Sequence, residues 1–280
     1  MTYFERAMLA AIVIGAGAGF VGALVVLRRR TFFAQALTHA TYPGAVAAAA
    51  LGVSVPAGAA VASVAIVAIM AGIARIRRQG AQVAAGIVLT GGFAAGALLQ
   101  AALPGLPIRP EAFLVGSILT VTDTDILLAA AVAVVAVVLV AAFGPRIVFS
   151  TFDPAGFRAA GFREWPIELL VLALIAASVV SSLPAVGAIL AIALIAAPAA
   201  AARLVVTSYR GVLLAAPVIG AASGIAGVLA SRAFAVAAGP SIALAAAACF
   251  LLALGISRLR RLRWSTQSIP VETAEEARIA

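Results

Sequence analysis

The sequence predicts an all-α fold: a polytopic transmembrane helical bundle of eight to nine spans, with the N-terminus outside and the C-terminus cytoplasmic. Three observations lead there. First, apolar residues make up 65% of the 280 residues and charged residues only 10%, with a mean hydropathy of +1.19. A soluble domain holds about 45–50% apolar residues even with glycine counted, and about 25% charged, and its interior is too small to hide this much apolar surface. Second, the apolar residues fall in runs of bilayer length. Third, the arginines collect in alternate links between those runs. The composition excludes a soluble enzyme, and it excludes disorder, which needs low hydrophobicity and high charge. The single cysteine, Cys249, excludes a disulfide scaffold.

A span needs about 20 apolar residues to cross a hydrocarbon core of about 30 Å. Nine segments qualify: 7–27, 33–51, 55–74, 82–102, 126–143, 167–183, 186–204, 212–231 and 240–257. The first is too long for the apolar core of a signal peptide, and Arg28, Arg29 and Arg30 follow it as a stop. It therefore reads as a true span, and the mature chain is expected to start near Met1. The links at 52–54 and 183–185 are short; a re-entrant pair or a broken span there reduces the count to eight. Gly15, Gly17, Gly19 and Gly22 on the first span, and Gly220, Gly224 and Gly227 on the eighth, predict close helix packing.

All 19 basic residues are arginine, and the net charge is +9. With the N-terminus outside, 16 arginines lie on the cytoplasmic side, and only Arg6, Arg109 and Arg232 lie outside. That asymmetry is the positive-inside rule, and it favours an odd number of spans. A nucleic-acid surface needs a solvated basic face, which this chain lacks, so no nucleic-acid partner is expected.

Two links are long. Residues 103–125, outside, contain Pro104, Pro107, Pro110, Asp123 and Asp125. Residues 144–165, inside, carry Phe152, Asp153 and Pro154, an N-cap followed by a first-turn proline, which predicts a short helix from Pro154 to Ala160. An ordinary capped turn fits those residues equally well. The chain thus divides into a membrane domain, 1–263, and a polar tail, 264–280, expected to be disordered.

The only ionisable group well inside a span is His39; Glu168 lies near a cytoplasmic end and Asp125 at an outer edge. Ionisable groups in a membrane are costly, and they mark function. Gln35 and His39 are four residues apart and share a helix face, with Tyr42 one turn on. Pro43 and Gly44 weaken the helix there and free backbone carbonyls. An imidazole beside amide, hydroxyl (Thr38) and carbonyl oxygens suits a divalent first-row metal; a buried histidine bonded to its neighbours is the structural alternative. No CxxC, HExxH or GxxxxGK[ST] motif is present, so the chain has no structural zinc signature and no nucleotide loop of its own.

The run Arg28-Arg29-Arg30-Thr31-Phe32-Phe33-Ala34-Gln35-Ala36-Leu37-Thr38-His39-Ala40-Thr41-Tyr42-Pro43-Gly44 resembles the start of the manganese/zinc/iron class of ABC transporter permeases, "RRM…GDALSHA…PG". Further matches follow in order. Phe113 to Ser117 with Asp125 resembles "YLFGS…D"; Phe152 to Gly161 resembles "FDPE…ALG"; Val186 to Leu190 and then Ile195 to Arg203 resemble "VGALL…IPAATAR"; Ala238 to Ser241 resembles "AGPS/T". The resemblance runs from about residue 4 to residue 257.

It implies a transport subunit, not an enzyme, in the bacterial plasma membrane. Its partners would be a second copy of the chain, a cytoplasmic ATP-binding ABC subunit, an extracellular or periplasmic metal-binding lipoprotein, and the lipid bilayer. No cofactor is expected to bind tightly: the cargo is manganese, zinc or iron, manganese first, and ATP acts through the partner. The metal residues carried over are His39, Gln35 and Thr38, with Asp123 and Asp125 at the outer mouth. Phe152, Asp153, Pro154, Phe157, Arg158 and Gly161 would form the segment that couples to the ATPase. The family's aspartate falls on Gln35, which keeps an oxygen but removes a charge. That departure leaves room for a permease of a metal chelate such as a siderophore or haem. An ATP-independent secondary transporter would show inverted repeats or intramembrane coupling charges, and none is evident.

Overall fold

The computed structural model describes residues 2–74, 80–103, 113, 116 and 118–265. Arg75, Arg77, Arg78, Pro104, Pro107, Arg109, Pro110, Leu114, Val115, Ser117 and the tail from residue 266 lie outside them. The described residues are helical throughout their regular structure: α1 (Tyr3–Leu27), α2 (Thr31–Ala40), α3 (Tyr42–Ala50), α4 (Val55–Ala74), α5 (Ala81–Ala102), a 3-10 turn (Ile118–Thr120), α6 (Asp123–Phe152), α7 (Pro154–Ala159), α8 (Glu164–Val205), α9 (Tyr209–Phe234) and α10 (Ala238–Ser265). α1 starts on a capping box, Thr2 with Glu5, which satisfies two of its open N–H groups.

Seven helices are long and apolar enough to cross a membrane: α1, α4, α5, α6, the first limb of α8, α9 and α10. Their outward faces are apolar: Val61, Leu98, Leu214 and Leu244 are each more than 70% exposed. Such side chains suit lipid, not water.

The structure departs from the sequence reading at three places. The segment expected at 33–51 is two short helices that meet at Thr41. The link expected at 183–185 is helical, and the break falls instead at Gly187, with φ 76° and ψ 169°. Only glycine adopts that conformation without strain. The break reverses the chain. Glu164 at one end of α8 and Arg203 near the other line the same cavity, whereas a straight helix of 42 residues would hold its ends about 60 Å apart. Third, the inner link does not begin at residue 144, because α6 continues through Pro145 to Phe152. Proline removes one helix hydrogen bond, and the turns on either side carry the helix across that loss.

Contacts between backbones set the directions. Gly15 lies on Gly220, Gly19 on Ala216 and Gly224 on Ala11, so α1 and α9 run antiparallel. A Cβ added to Gly15 would sit 2.5 Å from the Gly220 carbonyl oxygen; close backbone approach is how helices associate where water supplies no hydrophobic drive. Arg6 meets Asp123, Gly17 meets Ala133 and Arg28 meets Thr151, so α6 runs parallel to α1. Gly92 meets Ala40 and Gly96 meets Tyr42, so α5 runs parallel to the α2–α3 pair, while Gly44 against Gly58 makes α4 antiparallel to α3. The first limb of α8 opposes α1, with Arg28 on Glu168; its second limb returns alongside α1, with Ile195 on Gly22. α2 is held between α5, α8 and α4.

Candidate functional site

The single histidine lies in the last turn of α2, one residue before that helix ends. In an unbroken helix the N–H of residue 43 would bond the His39 carbonyl, and proline has no N–H. α2 therefore closes at Thr41, whose N–H reaches the Leu37 carbonyl at 3.2 Å, and α3 opens with Pro43 in its first turn. Interrupted helices of this kind are where transporters build ion sites.

Hydrogen bonding orients the imidazole. The Thr38 hydroxyl donates its one proton to the Gln35 carbonyl at 2.8 Å and lies 2.9 Å from His39 Nδ1. With that proton committed, the Thr38 oxygen is the acceptor, so Nδ1 carries the ring hydrogen and Nε2 keeps its lone pair. A metal-binding histidine is held in this way, through its second nitrogen. Thr38 is fully buried beside the ring. Gln35 is exposed and His39 half-buried; the two share the helix face. Phe93 lies beside the ring, with centroids 6.2 Å apart.

Below His39, Tyr42 is fully buried. Its ring stacks on Phe93 at 5.4 Å and tilts against Phe113 at 4.9 Å, and its hydroxyl donates to the Gln100 side chain. Sequence reasoning missed Gln100; the signal was an amide near the end of a largely apolar span. Among the described residues no cluster of three or more His, Cys, Asp or Glu side chains could hold a metal. The apolar cavity of about 700 Å³ between α4, α6 and α8 has no ionisable residue in its lining.

The two aspartates expected at the outer mouth are engaged. Asp123 forms an ion pair with the Arg6 guanidinium, Nε to Oδ1 at 2.8 Å, and accepts one hydrogen bond from Arg6 Nη2 at 3.2 Å. Asp125 accepts from the Thr122 N–H at 3.0 Å and its hydroxyl at 2.6 Å, capping α6. They sit together at the start of α6, and among the described residues neither makes a hydrogen bond or ion pair with α2.

At the opposite face, Asp153 caps α7 by accepting from the Gly156 N–H at 2.8 Å. α7 ends on Gly161, φ 82°, with Gly161 N–H to the Arg158 carbonyl and Phe162 N–H to the Phe157 carbonyl, a left-handed helix stop. Phe157 is buried; it meets Phe149 edge-on at 5.4 Å and stacks on Phe162 at 5.1 Å. It therefore pins the short helix to α6, while Phe152, Pro154 and Arg158 face outward. Arg158 pairs with Glu164 at 2.8 Å. Beside α7, Arg28 joins three helices: it reaches Thr151 Oγ1 at 2.9 Å, the Ile147 carbonyl at 3.3 Å, Glu168 at 3.0 Å and the Ser150 hydroxyl. Burial lowers the Arg28 pKa from its ordinary value, with the Glu168 charge opposing; arginine stays charged regardless. This knot was invisible in the sequence, where its members are more than a hundred residues apart.

The family model described as the ABC 3 transport family matches residues 1–257. The chain belongs to that family. The manganese transport system membrane protein MntC of Halalkalibacterium halodurans is 30% identical to this permease over 256 residues, 91% of this chain and 88% of that protein. The zinc transport system membrane protein TroC of Treponema pallidum is 34% identical over 232 residues, 80% of this chain and 78% of that one. Among solved structures, PsaBC from Streptococcus pneumoniae in complex with Fab superposes on the permease with a TM-score of 0.81 and 29% identity, covering 90% of this chain and 91% of that one. The permease is a multi-pass protein of the bacterial plasma membrane and a transport subunit, not an enzyme.

Proposed function

We propose that the permease forms the membrane pathway of an ATP-driven importer for a divalent transition metal, manganese first, with zinc and iron the other candidates. The observation that carries this is the half-buried His39, with Nε2 open at a helix break and Nδ1 tied to Thr38. The names of the manganese and zinc relatives support the cargo class. The helix directions support nine passes: the α2–α3 pair and the second limb of α8 are the two short ones, and the alternation is otherwise regular. The arginine asymmetry supports an N-terminus outside and a C-terminus in the cytoplasm.

Gln35 and His39 take the ion transiently. Few ligands and no carboxylate make a site that releases as readily as it binds, which suits a pathway better than a store. A second copy of the chain completes the ligand set. A binding lipoprotein delivers the ion outside, where Asp123 and Asp125 add negative charge at the mouth. Inside, α7 docks the ATPase through Phe152, Asp153, Pro154 and Arg158, with Phe157 and Gly161 holding its shape. ATP binding and hydrolysis then shift the population between outward- and inward-open states.

The test is ion uptake into liposomes that hold the permease, its ATPase and its binding protein, with ATP inside. His39→Ala is expected to abolish uptake of one ion among Mn(II), Zn(II) and Fe(II) while basal ATP hydrolysis persists. Unchanged uptake in a variant of wild-type thermal stability would sink the reading and favour a chelate as cargo.

A further inference from the structure

Four arginines, Arg28, Arg29, Arg30 and Arg203, line a cavity of about 740 Å³ where α1, α6 and both ends of α8 meet. Its two carboxylates are already engaged. Glu168 is shared by Arg28 and Arg30, and Glu164 is held by Arg158. Among the described residues no ion pair holds Arg29 or Arg203, and both are exposed. The backbone keeps Arg29 at this spot at a cost: its φ is 55°, a left-handed conformation that arginine rarely adopts. The remaining lining is apolar where it opens outward. Trp165, 61% exposed, and Phe152, 62% exposed, stand beside the guanidiniums. An indole beside cationic side chains at a helix end is the signature of the membrane–water interface.

We propose that this cavity binds the phosphate headgroup of an anionic phospholipid of the cytoplasmic leaflet, phosphatidylglycerol in kind, with its acyl chains lying along Trp165. Two uncompensated guanidiniums supply the charge, and the Ser150 and Thr151 hydroxyls lie in the same wall. A free phosphate or nucleotide would find the same charge but would leave the aromatic rim without a use; the rim is what selects a lipid. The cavity abuts α7 through Pro154, so a bound lipid would brace the segment proposed to dock the ATPase. The inference rests on the orientation given above, which puts this face in the cytoplasm.

Native mass spectrometry of the full-length permease–ATPase complex tests it, after release from nanodiscs of equal phosphatidylcholine and phosphatidylglycerol. The expected result is retained phosphatidylglycerol on each permease, falling about thirtyfold in Arg29→Gln/Arg203→Gln, roughly fivefold per charge. Neither residue makes an ion pair that folding would lose. Equal retention in the variant overturns the proposal. Displacement of the lipid by inorganic phosphate at millimolar level overturns the choice of a lipid over a free anion. Loss of the ATPase from the variant with lipid retention unchanged assigns the surface to the ATPase instead. Orientation is read separately, by labelling Thr207→Cys in a Cys249→Ser background with an impermeant thiol reagent. Lipid retention does not depend on which leaflet supplies the lipid, so failure of the site and failure of the orientation give different patterns.

Discussion

Gly96→Ala adds one methyl group where the structure leaves no room for it. The new Cβ would lie 2.4 Å from Tyr42 Cδ1 and 2.9 Å from the Pro43 nitrogen, whereas carbon atoms rest about 3.5–4.0 Å apart. Tyr42 must therefore retreat by roughly 1 Å, and it cannot do so freely, because it is fully buried between Phe93 and Phe113. Overpacking of this kind costs about 1–3 kcal/mol, and breaking the Tyr42–Gln100 hydrogen bond adds about 0.5–1.5 kcal/mol. Alanine's better helix propensity returns about 1 kcal/mol. The expected net loss is about 1–3 kcal/mol on those scales. The displacement is at the joint that carries His39, so uptake should fall as well. The assay is thermal denaturation of the detergent-purified permease at fixed scan rate, followed by a thiol dye on Cys249, beside liposome uptake. Gly91→Ala, five residues earlier on the same helix, meets nothing within 4 Å and is the control, expected to be neutral or slightly stabilising. If Gly96→Ala matches Gly91→Ala in both stability and uptake, the packing of α5 on the α2–α3 joint is not as described.

Four other variants probe the rest of the molecule. Arg28→Ala removes a guanidinium whose side chain is only 9% exposed and leaves Glu168 with Arg30 alone; breaking a buried pair costs about 3–5 kcal/mol, less here for the remaining partner, and the unfolding temperature should drop measurably. Phe157→Ala empties the pocket between Phe149 and Phe162 and should cost about 3–5 kcal/mol locally, releasing α7 and reducing the ATPase recovered on affinity purification. Arg158→Ala breaks an exposed pair worth at most about 1 kcal/mol, so its effect on stability should be near zero, and any loss of ATPase recovery would come from the docking surface itself. Gly187→Ala forces a side chain into φ 76°, ψ 169°, a region essentially reserved for glycine, at a penalty of about 1–3 kcal/mol, and should lower thermal stability without changing the helix content seen by circular dichroism.

Much of this molecule could be read in its residues. Composition excludes every soluble class. The apolar runs mark the long helices, because a helix in lipid must satisfy its own backbone and so needs an uninterrupted stretch of apolar side chains. The Asp153–Pro154 start of α7 was legible because capping is local chemistry, confined to a few neighbouring residues. His39 stood out because it is the one ionisable group deep in a span. The family resemblance followed from ordered short motifs, each tied to one of these local features.

What the residues did not disclose depends on contacts between distant segments. Pro43 and Gly44 forecast a weak point, but the closed end at Thr41 and the burial of Tyr42 depend on α5 packing against them. The expected link lay at 183–185, whereas the chain reverses at Gly187, where the Gly116 backbone from a distant part of the chain packs closely on it. That the Thr38 hydroxyl donates to the Gln35 carbonyl and lies against the imidazole could not be read from the sequence. The Arg28 knot and the arginine-lined cavity join α1, α6 and α8, and no periodicity within one segment encodes such a meeting. Local chemistry and hydropathy act over a few residues, and the sequence alone determined what depends on them: class, spans, caps and the single intramembrane imidazole. Which helices lie together, which polar atoms find partners and which charges stay unpaired are decided by packing between segments far apart in the chain, and only the tertiary structure could settle them.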